Sequence, residues 1–178
     1  KILERGSSHI KFQHKILSDE YKSLGTRPNV PSSKMIKKEI EEYDLADFIC
    51  VPSQYVKETF IKYGIKKDKI IKIPYGVDLK EFCVVESKKR KDNKFRIIST
   101  GSISVRKGSH YLLEAFKELS LPNSELIFVG SFDPDFKKII KRYSNIKNIR
   151  FIKKQKQELL KNFYNDSDIF VICSIEEG

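Results

Sequence analysis

Short apolar runs alternate along this chain with stretches whose apolar positions recur every three to four residues, most regularly after residue 94. Phe95–Thr100 predicts a strand, and Leu112, Leu113, Phe116 and Leu119 form one helical stripe across Ser109–Leu119. Glu125–Gly130 predicts a second strand. Asp133–Tyr143 predicts a helix entered through a capping Asp133 and a first-turn Pro134. Asn148–Ile152 and Asp168–Cys173 predict two more strands, separated by a helix over Lys156–Tyr164 with Leu159, Leu160 and Phe163 on one side. Strand and helix in strict alternation imply a parallel, doubly wound α/β sheet. The strands are nearly all apolar, as strands covered on both faces should be.

The first half repeats this grammar over a shorter stretch. Met35–Ala46 predicts an amphipathic helix and Asp47–Val51 a buried strand. Ser53 is placed to cap a helix over Gln54–Tyr63, which Gly64 ends, and Lys69–Ile73 predicts another strand, stopped by Pro74-Tyr75-Gly76. Ser18–Ser33, with Gly25, Pro28 and Pro31, reads as a loop. Glu86–Lys94 is a charge run with almost no apolar content. The expected organisation is a first domain over residues 1–82, a charged linker over 83–94 and a second domain over 95–178. Lys1 is not an initiator methionine, and Gly178 falls inside a loop, so the expectation is a fragment cut at both ends.

Two loops carry the candidate chemistry, and each follows an apolar strand. Gly101-Ser102-Ile103-Ser104-Val105-Arg106-Lys107-Gly108 offers a glycine turn, two adjacent cations and a following helix; Ser174-Ile175-Glu176-Glu177-Gly178 offers carboxylates. In an open α/β sheet, loops after strand C-termini converge on one ligand crevice. Cations and a helix N-terminus suit phosphates there, and a carboxylate suits sugar hydroxyls. Lys107 precedes Gly108, so the phosphate-loop order is absent, and so is the three-glycine dinucleotide fingerprint. Taken alone, each loop fits a solvated surface turn better than a ligand grip; the pair on one sheet edge shifts that balance. His9 is a third candidate, as an acid-base residue, although neither it nor His14 or His110 has a partner that would make a triad. No metal-ligand spacing appears.

Composition narrows the partners. The chain has 178 residues, a formal net charge of +11, and 39% hydrophobic against 33% charged residues, which fits a folded chain rather than a disordered one. The positive charge admits a nucleic acid, an anionic membrane face or a phosphorylated ligand. Lysines scattered along helices and turns, without interleaved aromatics or glycines, argue against nucleic acid. Cys50, Cys83 and Cys173 are widely spaced; buried, reduced thiols are expected at Cys50 and Cys173, which fits a cytoplasmic protein.

An ordered set of segments resembles a known family. These are Glu39–Asp47, Val51-Pro52-Ser53, Ile73–Asp78 with Phe82, Gly101 with Lys107-Gly108, Leu112–Phe116, Glu125–Gly130 and Ser174 with Glu176-Glu177-Gly178; Arg5-Gly6-Ser7-Ser8-His9 is similar to an acceptor-side segment. Together they resemble the retaining glycosyltransferases of family 4. That resemblance implies the GT-B fold of two Rossmann-like domains, both incomplete here. It implies a nucleotide-diphosphate-sugar donor with its diphosphate at Gly101, Ser102, Arg106 and Lys107. Sugar or nucleotide contacts fall to Gly130, Ser174, Glu176 and Glu177, with Glu177 as the first glutamate of the family's paired motif. Transfer would proceed without metal or cofactor, to a glycan, lipid or other acceptor, at the inner face of the membrane or in the cytoplasm. Three departures stand out: the second glutamate would fall beyond Gly178, Lys153 occupies a region often glycine, and Cys173 replaces a frequent proline. The fragment alone is expected to be inactive. The competing readings are a non-catalytic nucleotide or sugar-phosphate binding module and a basic nucleic-acid-binding protein.

Overall fold

The computed structural model describes residues 1–84 and 92–178, which form two compact units. One comprises Lys1–Gly76 with Ile175–Gly178, the other Val77–Ser174. This division differs from the expected one. Val77–Val84 belong with the second unit, the last four residues belong with the first, and most of the expected linker lies outside the described residues.

The second unit is a four-stranded, all-parallel sheet in the order β6-β5-β4-β7. Its strands are β4 (Phe95–Thr100), β5 (Ser124–Val129), β6 (Ile149–Ile152) and β7 (Ile169–Phe170). Its helices are α4 (Ser109–Leu119), α5 (Phe136–Ile139) and α6 (Gln157–Asn165). The chain steps from β4 to β5 to β6 on one side and returns to place β7 on the other. The switch point therefore lies between β4 and β7, where such sheets bind ligands. All six residues of β5 are buried, as the apolar run implies. The sheet's edges differ: Phe151 in β6 and both residues of β7 are exposed. Two expected elements are shorter. The helix over 133–143 starts at Phe136, capped by Asp135 rather than Asp133, and tightens to a 3-10 turn over Ile140–Tyr143. The last strand is regular only at Ile169–Phe170, and Val171 N–H adds one more bond to Ile98 O.

The first unit is a three-stranded parallel sheet, β1-β2-β3, made of β1 (Ile2–Glu4), β2 (Phe48–Val51) and β3 (Ile70–Lys72). Helices α1 (Ile10–Ser23), α2 (Ser33–Leu45) and α3 (Gln54–Lys62) pack around it. Ile10, Tyr43, Ile49, Val56 and Phe60 form its apolar centre. Ser53 caps α3 by accepting from Val56 N–H at 3.1 Å, as the sequence implies. The first six residues of the expected loop over 18–33 are helical, because α1 runs on to Ser23. Its polar Gln13 and His14 interrupt the apolar stripe that would have revealed it. Cys50 and Cys173 are free but only half-buried, and Cys83 is exposed, so the expected burial of the first two is partial.

Candidate active site

The loop after β4 is pinned from within. Ile103 and Val105 are buried plugs, at 1% and 0% exposure. Ser104 Oγ accepts from Lys107 N–H at 3.2 Å, Ser109 Oγ accepts from Ser104 N–H at 3.1 Å, and Gly108 N–H donates to Val105 O at 2.8 Å. Ile103 N–H donates to Ser131 O, tying the loop to the end of β5. Gly108 enters α4 with φ +63°, and a Cβ there would overlap the Cys173 carbonyl. Glycine is required on both counts. Arg106 and Lys107, held between these anchors, are half-buried rather than freely solvated. Arg106 also opposes the upward shift that burial and Asp135 impose on the Asp133 carboxyl.

Beside this loop is an open cleft of about 380 Å³ at the C-terminal ends of β4 and β5. Thr100, Gly101, Ser102, Gly130, Lys154 and Gln155 line it. A Cβ on Gly130 would overlap the Gly101 carbonyl, so the two backbones meet where the loops diverge. Of the expected donor residues, Gly101, Ser102 and Gly130 thus share one cleft. Ser174 follows Cys173, whose thiol donates to Gly108 O at 3.2 Å; the loops after β4 and β7 therefore meet at the same sheet edge. Lys154 and Gln155 escaped the sequence reading. Their signal was position alone, directly after a parallel strand.

His9, Glu176 and Glu177 lie in the first unit. His9 is 1% exposed. Its Nδ1 accepts from Lys11 N–H and caps α1, and its ring stacks on Tyr63 with centroids 4.6 Å apart. Burial, then the charges of Lys11 and Arg5, lower its pKa from 6.5 to about 4. Capped, stacked and held neutral at neutral pH, this imidazole is enclosed beside Tyr43, Phe60 and Tyr63 in the interior of the first unit. Glu176, also expected to contact the donor, is 1% exposed with both carboxylate oxygens occupied. Ser8 N–H and Ser8 Oγ–H donate to Oε1 at 2.8 and 2.7 Å, and Gln13 Nε2–H donates to Oε2 at 2.8 Å. Glu177 is half-buried next to it. Ser8 and Gln13 were missed because their partner is more than 160 residues away in the chain. The described residues contain no group of three His, Cys, Asp or Glu that could hold a metal ion.

The profile of the group 1 glycosyl transferases matches residues 84–178, more than half of the chain. The chain belongs to this family. Solved structures of similar fold include glycosyltransferases. HepE of Anabaena, solved in complex with UDP-glucose, aligns over 97% of this chain and 46% of its own at 20% identity, with a TM-score of 0.68. The pneumococcal O-GlcNAc transferase GtfA, solved with UDP and GlcNAc, aligns over 99% and 33% at 19% identity and TM-score 0.58. A glycosyltransferase of Rickettsia africae aligns over 93% and 56% at 20% identity and TM-score 0.59. The chain thus spans about half or less of the length of these proteins, and its two Rossmann-like units have the GT-B type of fold. A sequence search among curated proteins returns no match.

Proposed function

We propose that the full-length group 1 family protein transfers a sugar, with retention of configuration, from a nucleotide-diphosphate sugar to a glycan or lipid acceptor. The observation that carries this reading is the pinned loop Gly101–Gly108: its start, Gly101 and Ser102, lines the two-glycine cleft, and its end, which carries Arg106 and Lys107, meets Cys173 on the β4–β7 side, where the strand order reverses. Backbone amides of the turn and the start of α4 supply partial positive charge for a diphosphate, and Arg106 and Lys107 supply full charges. Gly101 and Gly130 let the nucleotide approach the backbone, with Lys154 and Gln155 bordering the base or ribose. Cleavage of the sugar–phosphate bond leaves negative charge on the departing diphosphate. Cations fixed before the reaction stabilise that charge without reorganising. Glu177 holds sugar hydroxyls. UDP is the first nucleotide to test, because HepE and GtfA were solved with it. The basic surface suits an anionic membrane face on the cytoplasmic side, near a lipid acceptor. No metal or organic cofactor takes part.

The test is calorimetric titration of the full-length enzyme with UDP, GDP and their glucose and mannose conjugates, followed by turnover assays. Lys107→Ala should weaken the free nucleoside diphosphate by about 10- to 150-fold, the worth of one charge-assisted hydrogen bond. The transfer rate should fall further. Unchanged affinity in Lys107→Ala would remove the phosphate assignment. Binding without turnover would favour a non-catalytic sugar-nucleotide module. The anomeric signal of the product, read by NMR, decides retention.

A further inference from the structure

Residues 176–178 are clasped by the Gly6–Gln13 segment. A Cβ on Gly178 would overlap the Gly6 carbonyl and crowd Pro52, so backbone lies directly on backbone. Two residues earlier in the chain, Glu176 is buried with three donors on its carboxylate, all within 2.8 Å. The clasp continues inward. Arg5 Nη2–H donates to Gln13 Oε1 at 3.2 Å and pairs with Glu39 at 3.2 Å; Tyr43 Oη–H donates to Glu39 at 2.8 Å and accepts from Ile10 N–H. The Tyr55 phenol is pushed up by burial and by the Glu176 charge. A buried carboxylate with both oxygens occupied cannot also hold a ligand's hydroxyls, and leaving it unpaired would be costly.

We propose that Glu176 is a positioning residue: its clasp by Ser8 and Gln13 fixes the backbone that aims the adjacent Glu177 carboxylate at the donor sugar. The inference rests on the donor-sugar role proposed above for Glu177. A single planar peptide unit joins the two residues, and the segment is held on both sides, by Glu176 and by Gly178. A contact fixed in this way orients its ligand without ordering cost at the moment of binding. Two acidic residues that look equivalent in the sequence thus divide the work, one holding and one contacting.

The test uses the full-length enzyme, with UDP, UDP-glucose, GDP and GDP-mannose as probes. Glu176→Gln turns a donor of its own toward Gln13 and breaks the clasp on that side. It should weaken the nucleotide sugar about tenfold or more and lower kcat, while the free nucleoside diphosphate binds within about twofold of wild type. The double variant Glu176→Gln/Gln13→Glu restores every bond: the one between positions 13 and 176 with donor and acceptor reversed, those from Ser8 and Arg5 in their original direction. It also places a carboxylate beside Arg5, and it should recover sugar affinity and kcat to within about threefold. Should Glu176→Gln fail to fold, Ser8→Ala removes one donor only and should show the same sugar-selective loss. Equal losses for the free and conjugated nucleotide, or no recovery in the double variant, would overturn the positioning role. Hydrogen exchange of the Ser8 amide reads the clasp separately. If wild type binds no nucleotide sugar, the functional reading fails and the positioning role with it; intact Ser8 protection, lost in Glu176→Gln, would then show a purely structural clasp.

Discussion

Strand β5, at the centre of the second unit, buries all six of its residues, four of them apolar, whereas the first unit buries the Glu176 carboxylate and the Gln13 amide against each other and encloses His9 among aromatic rings. Both units build parallel sheets with covering helices. The second closes its centre with Ile98, Ile127 and Val129, backed by α6 through Leu160 and Phe163. Its buried charges are kept to the N-terminal end of the strands. There Arg96 and Glu125 face each other across β4 and β5, and Asp92, Asp166 and Arg150 complete the set. The ligand end of that sheet is left to glycine, serine and two cations. The first unit instead threads polar groups through its interior, from Glu176 to Tyr43, and stacks His9 between aromatic rings. Apolar burial is non-directional and tolerates local adjustment; a polar interior is stable only while every member keeps its partner. The first unit should therefore respond to single partners and to pH, and the second to lost volume.

The largest effect expected is loss of volume in the second unit. Leu126 in β5 has no solvent exposure. Leu126→Ala removes a fully enclosed side chain from a strand flanked on both sides, and should cost about 3–5 kcal/mol. Segment-resolved hydrogen exchange on the full-length protein should show faster opening of β4, β5 and β6, with the amides of α1 unchanged. Equal acceleration of α1 would mean that the units do not open independently, and the contrast between them would be lost. The loss should also be the same at pH 5 and pH 7.5, because no titrating group is touched.

The contrast explains what could be read in advance. Leu112, Leu113 and Phe116 announce α4, and Glu-Leu-Ile-Phe-Val-Gly announces β5, because apolar burial leaves a local period. The loop after β4 and its two cations were equally legible, as was Ser53 as a cap. Helix α1 was not, since Gln13 and His14 point to partners instead of repeating a stripe: Gln13 to Glu176, His14 to Pro31 O. The enclosure of Glu176 was hidden for the same reason. A hydrogen bond spanning the length of the chain leaves no trace in residue spacing, and two adjacent glutamates look alike until one is seen to be enclosed.

The next effect is a pH response confined to the first unit. His9 titrates at about 4 in the folded protein and at 6.5 as the ordinary reference. Between those values the unfolded chain binds more protons than the folded one, so stability rises with pH there. The contribution is complete above 6.5 and is lost as pH falls toward 4. It amounts to roughly 3 kcal/mol at most, since each tenfold difference in proton affinity between the two states is worth about 1.36 kcal/mol. Protection of α1 amides, corrected for intrinsic exchange rates, should therefore drop between pH 7 and pH 5, while β5 keeps its protection. His9→Phe preserves the ring stack on Tyr63 but loses the α1 cap, so it should be less stable at pH 7 and flatter with pH. An unchanged pH slope in His9→Phe would assign the response to other groups and break the comparison.

The smallest effect sharpens the comparison by testing a feature that both kinds of interior should share. Ser53 closes the start of α3 with one hydrogen bond to Val56 N–H, on a half-buried surface outside the polar network. Removing it leaves a first-turn amide to water, which costs about 1 kcal/mol, whereas aspartate keeps an acceptor and adds a favourable charge at the helix N-terminus. Ser53→Ala should therefore lower the stability of the first unit by about 1 kcal/mol in urea titrations, and Ser53→Asp should leave it unchanged or raise it slightly. Neither should alter the pH response, since His9 packs on Tyr43, Phe60 and Tyr63 rather than on the cap. A loss well above 1 kcal/mol for Ser53→Ala would mean that the start of α3 belongs to the same cooperative network as Thr59, which accepts from His9 N–H at 3.0 Å. In that case the polar interior of the first unit would extend through α3, and its sensitivity to single partners would reach farther than the buried residues alone imply.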